Sequence, residues 1–184
     1  MMIKDIVHKI DEAIKNRMLT FSCLAGAKFF GVAEPIVRLV DEGEEWFPVV
    51  IDNDGEDRYV FIDDDYPLGI YHHIIGKTYI PAVKNSYGDS QAFTVQADMK
   101  LICWGLRNQV RTTADRIESF IYASLPEVAV PVRSSFDRSL VFSNEFRGVQ
   151  FFLPEVAFLF SVDYYLKYTP ARRACIDLSD LCVE

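Results

Sequence analysis

The sequence predicts an α+β fold: a mainly antiparallel β-sheet with one long helix packed across it and a further helix at the N-terminus. Three observations predict it. From Phe93 to Cys103 the odd positions read Phe93, Val95, Ala97, Met99, Leu101 and Cys103, against polar Thr94, Gln96, Asp98 and Lys100. From Val156 to Tyr168 the even positions read Val156, Phe158, Phe160, Val162, Tyr164, Leu166 and Tyr168. Such period-two alternation marks strands that bury one face and wet the other. Between them Val110, Ala114, Ile117, Ile121 and Leu125 recur at helical spacing, with Asn108 as the cap and Pro126 as the stop.

The remaining elements follow in order. Ile3, Ile6, Val7, Ile10, Ala13 and Ile14 form the stripe of an amphipathic helix over residues 1–16, ending near Asn16. Lys28 to Val40, broken at Pro35, reads as one bent strand or two short ones. Asp41-Glu42-Gly43-Glu44 is a turn, and Trp46 to Ile51 returns as its hairpin partner. Asp52-Asn53-Asp54-Gly55 turns the chain again before Arg58 to Ile62, giving a meander of about three strands. Residues 63–89 hold Pro67, Gly69, Gly76, Pro81 and Gly88 and read as a long irregular loop, with a short strand near Tyr79. The first long strand ends near Trp104, where Gly105 breaks it. Val128 to Val132 and Leu140 to Ser143 are short strands, and residues 170–184 form a C-terminal tail. No internal repeat or linker divides the 184 residues, so a single domain is expected over 1–184.

Composition narrows the function classes. Half the residues are hydrophobic and 14% are aromatic, which excludes a wholly disordered chain and suits either aromatic-rich strands or an oligomer. The net charge of -8 disfavours binding to nucleic acid, which needs a basic surface to neutralise phosphates. The pairs Arg107 with Arg111 and Arg172 with Arg173 read as solvated or ion-paired arginines. No apolar run is long enough for a membrane span, and the start lacks a signal-peptide core. A cytoplasmic protein is therefore expected. Cys23, Cys103, Cys175 and Cys182 are too few and too scattered for a disulfide scaffold, and none forms a C-x-x-C pair.

Constellations that carry chemistry are sparse. His72 and His73 are adjacent, so on an extended segment they point to opposite faces and do not share a metal. Asp63, Asp64 and Asp65 lie just upstream and read as a solvated acidic turn; the alternative is a metal or acid/base site that they complete with the histidines, which needs those side chains to converge in space. The stretch Asp52 to Gly55 has the composition of a calcium loop. Aligning Gly55 with the loop's glycine puts Val50 and Phe61 at ligand positions, which excludes an EF-hand. The nucleophile elbow, the dinucleotide fingerprint and the phosphate-binding loop are all absent. The reading is thus no catalytic residue, no cofactor, no metal and no enzyme.

The order of elements resembles the tail-terminator or tail-completion proteins of long-tailed bacteriophages. The residues that carry this are Phe93 to Trp104, then Asn108 to Leu125, and Glu155 to Tyr168 as a closing strand. In that family a strand of the form V-x-V-x-I-x-x-W runs into a helix lying across the sheet. Val95, Ala97, Met99, Leu101 and Trp104 match the strand, Ala114, Ile117 and Ile121 match the helix, and Met2 to Lys15 fits the opening helix. The chain departs from the pattern by extra length at Asp63 to Asp89 and after Pro170. The resemblance implies a non-enzymatic ring-forming subunit, typically a hexamer, that caps the tail tube and meets the head connector in a virion. An acidic ring is compatible with DNA sliding through its lumen. The alternative is a small-ligand-binding α+β domain, in which the aromatic residues line a pocket.

Overall fold

The structure, a computed structural model, describes residues 3–18, 26–40, 43–51, 57–60, 65–81, 93–137 and 155–169. Its helices are α1 (Ile3–Met18) and α2 (Ala114–Ser124). Its strands are β1 (Lys28–Val32), β2 (Glu34–Val40), β3 (Gly43–Ile51), β4 (Asp57–Tyr59), β5 (Leu68–Pro81), β6 (Phe93–Leu106), β7 (Ala129–Ser135) and β8 (Ala157–Tyr168). The fold is α+β with a mixed five-stranded sheet in the order β1-β5-β6-β8-β7. β1 joins β5 in parallel, and the other neighbours in that sheet run antiparallel. β2, β3 and β4 form a second, antiparallel sheet.

The helix stripe of α1 is buried as its periodicity demands. Ile3, Ile6, Val7, Ile10, Ile14 and Met18 pack inward, while Lys4, Asp5, His8, Lys9 and Glu12 face solvent. Asp5 in the first turn and Lys15 and Arg17 in the last complement the helix dipole. Together α1 and α2 cover one face of the larger sheet, over Ile70, Met99, Leu101, Cys103, Phe160 and Val162. Each such side chain contributes about 1.5–3 kcal/mol by leaving water.

Several expectations are corrected. α1 runs two residues past Asn16, to Met18. α2 has eleven residues against sixteen in α1, so the longer helix is the N-terminal one. Thr113, not Asn108, is its N-cap residue. Val110 is still buried, but in a turn where the Gln109 and Val110 amides donate to the Leu106 carbonyl. Leu125 stays extended at φ -62 and ψ 130, as a residue before proline must. Pro35 does not break a strand; it lies within β2, and the break falls at Ala33. The expected three-strand meander is the sheet β2-β3-β4, and Lys28 to Val40 forms two strands, of which the first, β1, joins the larger sheet. The turn residues Asp41, Glu42 and 52–56, the strand expected at Leu140 to Ser143 and the tail 170–184 lie outside the described residues.

The largest correction concerns residues 63–89. Fourteen of them, Leu68–Pro81, form β5, a long inner strand paired along β6 from Leu68↔Gly105 to Pro81↔Phe93. Its glycines are strand residues with a packing reason. A Cβ at Gly69 would sit 2.2 Å from Cε2 of Trp104, its direct cross-strand neighbour. Gly105 continues β6 instead of breaking it, because a Cβ there would sit 2.4 Å from Cζ of Phe158.

The long strands also bury more than one face. Along β6 burial alternates from Thr94 to Asp98, then becomes continuous from Met99 to Leu106. The second face carries its own cluster of Phe30, Ala33, Val60, Tyr71, Ile102, Trp104 and Leu159. Trp104 Nε1 donates to the Val60 carbonyl at 2.8 Å, and Val60 follows β4, so the indole joins the two sheets.

Candidate functional site

A charged residue on the buried stripe of α1 organises the most unusual polar cluster among the described residues. Asp11 follows Ile10 on the helix and is 7% exposed. It faces β5, where His72 pairs with Leu101 on the helix-covered side of the sheet. Asp11 Oδ1 lies 2.8 Å from His72 Nε2. On the other side of the ring, His72 Nδ1 lies 2.7 Å from the hydroxyl of Tyr164. Tyr164 reaches across β6 from β8, and its ring meets the imidazole edge-on at 5.8 Å between centroids.

The three side chains form a hydrogen-bonded chain in which the roles of the ring nitrogens follow the histidine tautomer. A carboxylate only accepts, so Nε2 carries the hydrogen and donates to Asp11. Nδ1 meets the Tyr164 hydroxyl, a group able both to donate and to accept. Each buried group has a partner of the right polarity, which is what burial of polar atoms requires. Burial, with the Asp11 charge as the second cause, holds the Tyr164 hydroxyl well above its ordinary range. His72 has no exposed surface and Tyr164 is 1% exposed, so neither presents an atom to a substrate. The relay holds α1 against the sheet.

Asp11 also borders an opening. It lines a groove of about 590 Å³ between α1 and β1, with Lys4, His8, Glu12 and Lys15 on the helix side. Phe29, Val32 and Val50 form the apolar part of the wall. Lys4 Nζ lies 3.2 Å from Glu34 Oε1, and His8 Nε2 lies 3.4 Å from Glu12 Oε1. A second groove of about 560 Å³ opens at the start of α2, lined by Arg107, Thr113, Asp115, Phe136 and Phe158. Side chains of the main core pack between the helices and the sheet.

The candidate residues from the sequence separate. His73 lies on the face opposite His72, as alternation along a strand dictates. Burial and then the neighbouring Lys100 ammonium hold its imidazole below the ordinary value. Asp65 is exposed in a turn, and Asp63 and Asp64 lie outside the described residues. Among the described residues no group of three or more His, Cys, Asp or Glu is placed to hold a metal ion. Cys103 is a buried thiol whose ionisation burial pushes well up; the other three cysteines lie outside the described residues. No described helix is long and apolar enough to cross a membrane.

Sequence reasoning missed the partners of His72. Asp11 was the available signal, since an acidic residue flanked by Val7, Ile10 and Ile14 interrupts an apolar stripe. Nothing marked Tyr164 apart from the other aromatics of its strand. Comparison with known proteins gives no match: no family model, curated protein or solved structure is significantly similar to this chain.

Proposed function

We propose that this chain is a non-enzymatic assembly subunit of phage or prophage origin that associates with copies of itself. It resembles a tail-terminator or neck protein that forms a ring at the tail end and meets tail-tube or head-connector proteins. One observation carries the self-association: large apolar side chains stand in solvent on both outer parts of the larger sheet. Val130, Val132 and Phe136 are 38%, 63% and 44% exposed at the β7 edge. Ile75, Tyr79 and Ile80 are 52%, 65% and 40% exposed on β5 beyond the end of β1. Sheet edges of this composition pair with other chains unless covered. The element order from β6 through α2 to β8 supports the resemblance, and the net charge of -8 suits a lumen that passes DNA.

Light scattering and negative-stain microscopy across a concentration series test this reading. The expected result is a closed ring, a hexamer being the order the resemblance implies. A strict monomer at millimolar concentration, with no added tail-tube or connector protein able to assemble it, overturns it. Tail or capsid genes on either side are the expected genomic setting.

The groove between α1 and β1 favours a second reading, a small-ligand-binding domain, through its apolar wall of Phe29, Val32 and Val50. A thermal-shift screen with small apolar ligands separates the two. Stabilisation by a ligand and its loss in Val32→Asp would support the second.

A further inference from the structure

Two bulges sit at opposite sides of the larger sheet, and each presents one unpaired β-branched residue. On β5 the register with β6 shifts between Ile74 and Gly76, which leaves Ile75 extra. On β7 the register with β8 shifts between Pro131 and Arg133, which leaves Val132 extra. A bulge re-aims the side chain it carries and interrupts the ladder at an edge. Both extra residues are more than half exposed, at 52% and 63%.

The two edges differ in charge. Beside Ile75 stands Lys77, and just before β7 stands Glu127; both are exposed, and neither takes part in an ion pair among the described residues. The cation of the β7 edge is already engaged, since Arg133 Nε lies 2.6 Å from Asp163 Oδ2. Among the described residues Glu127 therefore lacks a free cation on its own edge, and Lys77 lacks an anion on its own. Pro131 has no N–H to donate, so a neighbour at β7 is met chiefly through side chains.

We propose that the β7 edge of one copy, through Val130, Val132 and Glu127, seats against the distal half of β5 of the next copy, through Ile75, Lys77 and Tyr79. The occupant of each edge is a second copy of this chain, and the contact is head-to-tail. A contact between two different surfaces propagates, and it closes into a ring when its rotation permits. This inference rests on the self-association reading and specifies its interface.

The test uses the full chain, as wild type and as Val132→Lys and Ile75→Lys, in native mass spectrometry and light scattering, with circular dichroism to show that both variants fold. Each variant alone is expected to be monomeric, because every contact needs one β7 edge and one β5 edge. An equimolar mixture is expected to give a capped one-to-one pair, since one variant keeps its β5 edge and the other its β7 edge. If Ile75→Lys alone still assembles, β7 meets itself, and the head-to-tail contact falls while self-association stands. If both variants are monomeric and their mixture stays so, the assigned pairing is wrong. A wild type that is monomeric at every concentration removes both this contact and the reading beneath it.

Discussion

Asp11 and His72, 61 residues apart, are joined at 2.8 Å by a buried hydrogen bond that ties the first helix to the inner strand β5. The ring's other nitrogen is engaged by Tyr164, 92 residues further on. His72→Ala leaves both partners buried without a counterpart and opens a cavity. The expected cost is about 2–4 kcal/mol, read as a fall in urea unfolding free energy. Tyr164→Phe removes one hydroxyl and is expected to cost about 1 kcal/mol. A His72→Ala protein as stable as the wild type would remove the relay as a support of the fold.

Alkaline pH acts through the same region. Burial raises the Cys103 thiol well above its ordinary 9.0, and burial with the Asp11 charge raises the Tyr164 hydroxyl well above its ordinary 10.0. Both stay protonated in the folded protein after the unfolded chain has begun to lose those protons. Their contribution is therefore complete below 9.0 and declines as pH rises past each ordinary value. Urea midpoints titrated into the alkaline range should fall, and Cys103→Ala and Tyr164→Phe should each flatten part of the slope. Parallel slopes in all three proteins would contradict this.

His73 sets a slope of the opposite sense. Burial, then Lys100, holds its imidazole below 6.5, against the pull of a backbone hydrogen bond with Ala33. As pH falls below 6.5 the unfolded chain takes up the proton first. The contribution of His73 is present above that value and lost as pH drops through the folded one. His73→Gln is expected to flatten the decline of the urea midpoint on the acid side; an unchanged decline assigns it to other groups.

Gly69 exists for the indole opposite it. Gly69→Ala places a methyl 2.2 Å from Trp104 and is expected to cost about 1–3 kcal/mol as the core shifts. In a Trp46→Phe background the emission of Trp104 reports that shift directly. Trp104→Leu combined with Gly69→Ala should cost less than the sum of the single changes, because the clash has gone. Strict additivity in that cycle would show that the two positions are not coupled.

The half-wet strands were legible and the fully covered one was not. Val95, Ala97 and Met99 alternate with Thr94, Gln96 and Asp98, so the start of β6 could be read directly, as could the stripe of α1. β5 carries Leu68, Ile70 and Tyr71 in near succession because both its faces are buried there, and such a run has no period. Its Gly69 and Gly76 imitate loop punctuation, although the first is demanded by a neighbour that sequence spacing does not reveal. The continuation of β6 through Gly105 was hidden for the same reason. In the relay, adjacency placed His72 and His73 on opposite faces, but the partners of His72 depend on which helix covers the strand. That is tertiary information.

The Asp11–His72–Tyr164 connection also sets an order of events. During synthesis α1 is made before β5, so its acidic residue finds its counterpart only after β5 has followed. That counterpart is complete only once β8 has left the ribosome. Until then the apolar stripe of α1 has no sheet to lie on. Docking of α1 is thereby deferred until β8 has been made, and contacts this distant along the chain close slowly. A nascent chain halted before Ala157 should remain protease-sensitive throughout, with α1 cleaved as readily as the rest.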